Sequence, residues 1–174
     1  MTPTDIAIQT WKKDICSENW TVALEASDNL AQTGGEEIIR YLIQLLKSSS
    51  PSTRNASGLA LRELKAQKAL NPLLEAIFKS ANYNYNGTLV YALQGLDCST
   101  KLLEIFKILF FHSFEAKMGA YTILEEQSFK MTREDSRQLN SMWKELTGAP
   151  EKYPEFENPE TRSMIRRMYE KFSR

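Results

Sequence analysis

The chain has 174 residues, of which 42% are hydrophobic and 25% are charged, an ordinary balance for one globular domain with a continuous core. Its 22 Lys and Arg residues are matched by 22 Asp and Glu residues, so the formal net charge at pH 7 is zero. This neutrality argues against binding along a phosphate backbone, because proteins that do so usually carry a clear basic excess.

No part of the sequence has the pattern of a leader peptide or a membrane-spanning helix. Polar residues follow the first apolar ones at 6–8, and the most apolar run, 105–111, is far shorter than the roughly 18 residues that a span needs. Cys16 and Cys98 stand apart, outside any CxxC motif or His/Cys cluster. We therefore expect a cytoplasmic chain with no cofactor, no metal site and no membrane partner.

The first predicted element is a capping helix within residues 1–18. Pro3 is expected just outside it, with Thr4 and Asp5 as its cap. Residues at helical spacing form its expected buried stripe: Ile8, Trp11 and Ile15. Such a helix would close the open end of a stack of helical hairpins.

Four helical hairpins are predicted over residues 19–148. In the first, Asn19 is expected to cap helix A, and Gly34-Gly35 separates it from helix B. The second, from Ser50 to Lys79, is the most regular. Two sets of apolar residues recur in it at helical spacing, Ala56, Leu59, Ala60 and Leu64 in helix A and Leu70, Leu73, Leu74 and Ile77 in helix B. The short polar segment between them predicts an antiparallel pair.

This second hairpin resembles the short bacterial HEAT-like repeat, also called the PBS-lyase-type repeat. In that family an Arg lies near the start of helix A, as Arg54 does, and a Pro precedes a Leu-Leu pair in helix B, as Pro72 does. The chain departs from the family at Lys65-Ala66, where the family often has Gly-Asp. The resemblance implies an all-α, right-handed solenoid. Members mostly bind other macromolecules, and a minority act as chromophore lyases or DNA glycosylases.

The third and fourth hairpins are less regular copies. Ala60, Leu61 and Leu64 of the second hairpin each have a counterpart about 32 residues later. The counterparts are Ala92, Leu93 and Leu96, and this constant spacing is typical of helical-pair repeats. In the fourth, Lys117 stands where Arg54 stood, and Thr132 with Asp135 forms a capping-box pattern. Residues 149–174 are predicted to form a C-terminal cap whose helix begins at Asn158-Pro159. The whole chain, 1–174, is thus expected to be a single domain.

The sequence offers no constellation of residues typical of a catalytic site. His112 is the only histidine, and no Ser, Cys or carboxylate stands at a spacing that indicates a relay. We interpret it as a cap or turn residue. The glycines form neither GxxxxGK nor GxGxxG. We therefore expect a protein that is not an enzyme.

Two surfaces are candidates for partner binding. In helical-pair solenoids the B helices line the concave face, so the first candidate is the row of non-core residues on them. This row comprises Arg40, Tyr41, Gln44, Lys47, Glu75, Phe78, Lys79, Glu104 and Lys107. The second candidate is the loop at 81–87 with Tyr83 and Tyr85, because Tyr and Asn are common in recognition loops. The alternatives are an ordinary solvated face and a simple turn whose Tyr rings cover the edge of the core.

These observations favour a non-enzymatic module that binds one protein partner along its concave face. A more specific hypothesis, by analogy with other small domains, is a bacterial immunity protein that neutralises a cognate toxin. The alternative is a chromophore lyase subunit or assembly factor on a HEAT-like scaffold, and after it a DNA-glycosylase-like enzyme. We expect no nucleic-acid partner, in keeping with the neutral charge.

Overall fold

The computed structural model describes residues 2–173, and this range contains α-helices, short 3-10 turns and loops but no β-strand. The predicted all-α class with packed neighbouring helices is confirmed. The chain divides into two compact units, of which the first ends at Leu96 and the second begins at Asp97. This boundary falls inside the third predicted hairpin, between its two helices.

The first unit is built from successive helical pairs. Its helices are α1 (Pro3–Asp14), α2 (Trp20–Thr33), α3 (Glu36–Leu45), α4 (Pro51–Glu63), α5 (Leu70–Phe78) and α6 (Gly87–Leu93). Helix α1 packs on α2, α2 on α4 and α4 on α6, while α3 packs on α4 and α5 on α6. The first helices of consecutive pairs therefore form one layer, and α3 and α5 lie over it.

The second unit is a cluster of helices around an aromatic core. Its helices are α7 (Leu102–Phe111), α8 (Phe114–Glu126), α9 (Arg133–Gly148), α10 (Pro154–Glu157) and α11 (Pro159–Phe172). The buried rings of Phe106 and Phe110 meet edge to face at 5.4 Å, and Trp143 of α9 stacks on Tyr169 of α11 at 4.4 Å. Helix α11 therefore packs within this unit rather than extending away from it.

The N-terminal helix begins earlier than the sequence suggested. Thr2 is its N-cap and forms a capping box with Asp5, so Pro3 is the first helical residue. The expectation that Pro3 lies outside the helix was wrong, because the first helical position has no need of the N–H that proline lacks. Ile15, just after the helix, is fully buried, whereas Trp11 is only half-buried. The predicted caps at Asn19, Thr132 and Asn158 are confirmed.

Helix α4 approaches its neighbours closely because small side chains line its buried faces. Ala56, Ser57, Gly58 and Ala60 are all buried. A Cβ atom added to Gly58 would lie 3.1 Å from the Leu89 side chain of α6, which is tighter than almost all real contacts. On the opposite side, the buried Ser27 hydroxyl of α2 donates a hydrogen bond to the Ala56 carbonyl, at 2.8 Å.

In each unit a buried cation donates hydrogen bonds to backbone carbonyls of the segment that precedes its own helix. Arg54 is 3% exposed, and its Nη1 donates to the carbonyls of Ser48 and Ser49, both at 2.8 Å. In the second unit the fully buried Lys117 donates through Nζ to Phe110, at 2.8 Å, and to Leu109, at 3.3 Å. The sequence correspondence between Arg54 and Lys117 therefore reflects a shared structural role. Burial lowers the pKa of both side chains, that of Lys117 to about 8.

Lys65 occupies a conformation that usually favours glycine. Its φ is +47°, in the left-handed region, where the preceding helix α4 ends. A side chain in this region costs roughly 1–2 kcal/mol relative to the right-handed conformation. Lys65 is therefore a point of local backbone strain at the end of α4.

Substituting Arg54 should test how strongly its hydrogen bonds stabilise the first unit. We expect Arg54→Met to lower the free energy of unfolding by about 2–4 kcal/mol, because the carbonyls of Ser48 and Ser49 lose the charged donor of two part-buried hydrogen bonds. Urea denaturation followed by circular dichroism measures the loss. Arg166→Ala, at an exposed position, is the matched control, and equal midpoints for the two variants would contradict the prediction.

The pH dependence of stability should reveal the buried amine of Lys117. The folded amine loses its proton near pH 8 and the unfolded one near 10.5. Between these values the unfolded chain binds more protons, so stability should rise with pH, by at most about 1.4 kcal/mol per pH unit. The unfolding free energy of the natural chain should therefore rise relative to that of Lys117→Met from pH 8 to 10.5. Relative to the exposed control Lys144→Met it should show no such rise, and parallel curves for the natural chain and Lys117→Met would contradict the prediction.

Candidate functional site

Helices α3 and α5 flank a groove of about 490 Å³ on the first unit. Its apolar lining comes from both helices: Ile43, Leu46, Pro72, Ala76 and Phe78. Leu46 is only 2% exposed and Ala76 only 6%, so they lie at the bottom, whereas Ile43 and Pro72 are half-buried. The groove is an apolar depression that a protruding side chain could reach.

Three charged residues complete the lining of this groove: Lys47, Glu75 and Lys79. All three are exposed, and no ion pair or hydrogen bond engages their side chains within residues 2–173. Glu75 and Lys79 lie one turn apart on α5, and Lys47 follows the last turn of α3. The charges are therefore available to a binding partner at no cost of breaking existing contacts.

An exposed ion pair links the two helices near their N-terminal ends. Lys68, in the 3-10 turn Gln67–Ala69, donates to the Glu36 carboxylate of α3 at 2.7 Å. This contact lowers the pKa of Glu36, mainly through the hydrogen bond from Lys68. Because both side chains are well exposed, the pair contributes little to stability. The pair engages the charges of Glu36 and Lys68 with each other, whereas the three charges that line the groove lie nearer the C-terminal ends of α3 and α5.

The structure brings together four of the residues predicted to bind a partner. Lys47 lies with Glu75, Phe78 and Lys79 in the groove, as the concave-row hypothesis requires of neighbouring B helices. Two further residues of the row, Arg40 and Gln44, are exposed on α3 but do not line the groove.

Tyr41 faces the N-terminal helix instead of the groove. Its hydroxyl donates to the Lys12 carbonyl at 2.5 Å and lies 3.8 Å from the Cys16 sulfur. The Lys12 ammonium sits 5.2 Å from the centre of the ring. Burial raises the pKa of Tyr41, in keeping with a ring held between α1 and α3. Tyr41 thus joins these helices.

Glu104 and Lys107 belong to the second unit, on α7. Glu104 is partly exposed and forms an ion pair with Lys101 at 3.5 Å. Lys107 is exposed, and its charge contributes to lowering the pKa of His112. Glu104 and Lys107 therefore belong to a different unit from the groove and do not line it.

The loop at 81–87, which we call the Tyr-Asn loop, is held in place by its asparagines. The buried Asn82 amide donates to the Ala76 carbonyl at 2.8 Å, and the buried Asn86 amide to the Ile77 carbonyl at 3.2 Å. Both carbonyls belong to the last turns of α5, whose free acceptors need such donors. Tyr83 and Tyr85 remain 40% and 61% exposed on the 3-10 turn Ser80–Tyr85. The loop is thus an ordered segment that presents aromatic rings to its surroundings.

Sequence reasoning missed the apolar half of the groove. Ile43 and Leu46 follow the same helical periodicity as the core, which favours interpreting them as packing residues, and Pro72 entered only as part of the repeat pattern. The signal that distinguishes them is angular: Ile43 lies between the buried stripe of α3 and its polar row. Such edge positions become groove residues only when a second helix lies alongside.

His112 occupies a structural position. It is the C-cap of α7, is 5% exposed, and its pKa is lowered to about 4 by burial and by the charges of Lys117 and Lys107. Between Thr2 and Ser173, no cluster of three or more His, Cys, Asp or Glu residues could hold a metal ion. Over the same residues, no helix is both long and apolar enough to cross a membrane.

Two neighbouring asparagines allow a matched test of the loop's anchoring. We expect Asn82→Ala to lower the free energy of unfolding by about 1–3 kcal/mol, because it leaves the buried Ala76 carbonyl without its donor. Asn84→Ala, at an exposed position between the two tyrosines, should change it by less than about 0.5 kcal/mol. Chemical denaturation of both variants provides the comparison, and similar losses would argue against this role of Asn82.

Comparison with known proteins places the groove within a recognised type of repeat. Residues 11–94 match the family model of HEAT repeats. No curated protein sequence matches the chain significantly. The matched stretch runs from α1 into the residue that follows α6, so it includes the whole lining of the groove and the Tyr-Asn loop. Residues 11–94 therefore form a HEAT-like repeat region, and repeats of this type generally mediate protein interactions.

Proposed function

We propose that this chain is a non-enzymatic module that binds one protein partner through the groove between α3 and α5. The observation that carries the proposal is the composition of that groove, which combines an apolar bottom with exposed, unpaired charges. Protein interfaces concentrate their binding energy in desolvated apolar pockets surrounded by polar contacts. The groove has both parts, supplied by consecutive HEAT-repeat hairpins.

The size of the groove sets what the partner must supply. A volume of about 490 Å³ is large enough to enclose several partner side chains and lies within the usual range of binding pockets. A stable complex generally buries about 800 Å² on each partner, so the contact extends beyond the groove. The 3-10 turn that carries the tyrosines of the Tyr-Asn loop begins at Ser80, directly after Lys79. Its exposed rings are suited to continue the interface.

A finer form of the proposal is that the partner is a toxin and that this chain is its bacterial immunity protein. Neutralisation by such a protein requires tight occlusion of the toxin but no chemistry of its own. The even charge balance and the lack of a catalytic pattern in the sequence are compatible with this role. Co-expression with the product of the neighbouring gene would test it, because a cognate immunity protein should restore growth that this product alone suppresses.

Two isoleucines provide a matched test of the binding surface. The partner is first captured from native lysate on the immobilised chain, identified and purified. We then expect Ile43→Asp to weaken its binding at least about tenfold, since a carboxylate in the apolar groove loses hydration without gaining a partner. Ile6→Asp, on α1 and 56% exposed, should leave the affinity unchanged. Calorimetric titration gives both affinities, and circular dichroism checks that each variant is folded.

The proposal fails if no protein is captured, or if both isoleucine variants bind the captured protein as well as the natural chain does. Should Ile43→Asp not fold, the paired variant Lys47→Glu with Lys79→Glu replaces it, because both side chains are exposed. The paired variant Glu104→Lys with Lys107→Glu, on the second unit, shows whether partner contacts include α7.

A further inference from the structure

The groove between α3 and α5 has an uneven distribution of charge along its length. Lys47 follows the C-cap of α3, and Lys79 is itself the C-cap of α5. Both line the groove together with Phe78, so the positive charges meet where the two helices end. Glu75 lies one turn earlier on α5. Glu36 and Lys68, which lie near the N-terminal ends of the two helices and outside the groove lining, are already paired with each other.

These lysines also complement the partial negative charge at a helix C-terminus. That partial charge is about half a unit per helix and acts only within the last turn. Each lysine carries a full charge on a flexible side chain that extends past its helix end. With two lysines and one glutamate, the lining of the groove carries one excess positive side-chain charge, although the chain as a whole is neutral.

We propose that the occupant of this groove is a short linear segment of the partner protein that carries apolar side chains next to carboxylates. The inference rests on the proposed function and adds the chemistry of the partner. Apolar side chains of the segment fill the space above Leu46 and Ala76, and its Asp or Glu residues lie at the end marked by Lys47 and Lys79. Glu75 repels a carboxylate placed one turn earlier, and this fixes the direction of the segment.

The position of the groove between two helices favours a linear segment over a flat protein surface. Its apolar lining comes from both α3 and α5 and includes the half-buried side chains of Ile43 and Pro72. A flat surface would contact the outer faces of the helices more than the lining between them. A linear segment can insert successive side chains between two helices, which is how short motifs bind to helical grooves.

Selection from a random peptide library displayed on phage tests this chemistry with the whole chain as the target. We expect the enriched peptides to combine Leu, Ile or Phe with neighbouring Asp or Glu. The most enriched peptide, synthesised with a fluorescent label, should bind at least about tenfold more weakly to Lys47→Glu with Lys79→Glu, since the reversed charges repel its carboxylates. The control pair Lys13→Glu with Lys130→Glu, exposed and outside the groove, should bind it as the natural chain does. Glu75→Lys should bind it equally or more tightly.

Enrichment of peptides without acidic residues, or of peptides that bind both reversed pairs equally, would overturn the inference. So would the absence of any enriched peptide. Each of these three results leaves the proposed function with its own test, because a folded partner captured in an Ile43-dependent way would still use the groove. Conversely, if no natural protein is captured but acidic peptides bind at Lys47 and Lys79, the proposed function fails while the chemistry of the groove stands.

Discussion

Helix α4 packs against α2, α3 and α6, and the rest of the first unit depends on how closely it approaches them. Ser57 and Gly58 bury almost no apolar area, so they add little to the hydrophobic stabilisation. Their contribution is geometric. By letting α4 approach α6 at Gly58 and α2 at Ala56, they place α2, α4 and α6 in one tight layer. Helices α3 and α5 then lie over this layer, and the space between their outer faces is the groove.

Backbone carbonyls at the ends of helices and in the loops after them lack helical partners. Arg54 donates to two carbonyls in the loop after α3, and Lys117 donates to two in the last turn of α7. The two cations occupy equivalent positions in their respective units, but their chemistry differs. A guanidinium stays charged in proteins, whereas an amine can lose its proton when buried. The pKa of Lys117 falls to about 8, so Lys117 loses its positive charge at a lower pH than Arg54 does. The Tyr-Asn loop solves the same problem at the end of α5 with neutral amides.

Much of the fold could be predicted from the sequence because the signals were local. The helical spacing of Leu70, Leu73 and Ile77 found α5, and the Thr132 capping box found the start of α9. The capping pattern at Thr2 was available in the same way, but Pro3 was placed on the wrong side of the helix boundary. In each case the deciding contact lies within four residues along the chain, where periodicity and capping rules apply.

The candidate site was less predictable because its contacts are not local. Tyr41 and Lys47 both lie off the buried stripe of α3, yet the first contacts α1 and the second lines the groove. Which of these two contacts a residue of α3 makes depends on where α1 and α5 lie, and the sequence of α3 does not contain that information. The apolar lining posed the opposite problem. Ile43 and Leu46 had the pattern of core residues, and nothing in their own spacing indicated that a partner could reach them.

The charge of the chain illustrates the same limit at a larger scale. A net charge of zero argues against binding along a nucleic-acid backbone, because that term depends on many phosphates at once. It does not describe a surface as small as one groove, where charges farther away than about 10 Å are largely screened at physiological salt. Two lysines and one glutamate decide the potential there. A neutral chain can therefore select an acidic segment, provided that the fold brings Lys47 and Lys79 to the same end of the groove.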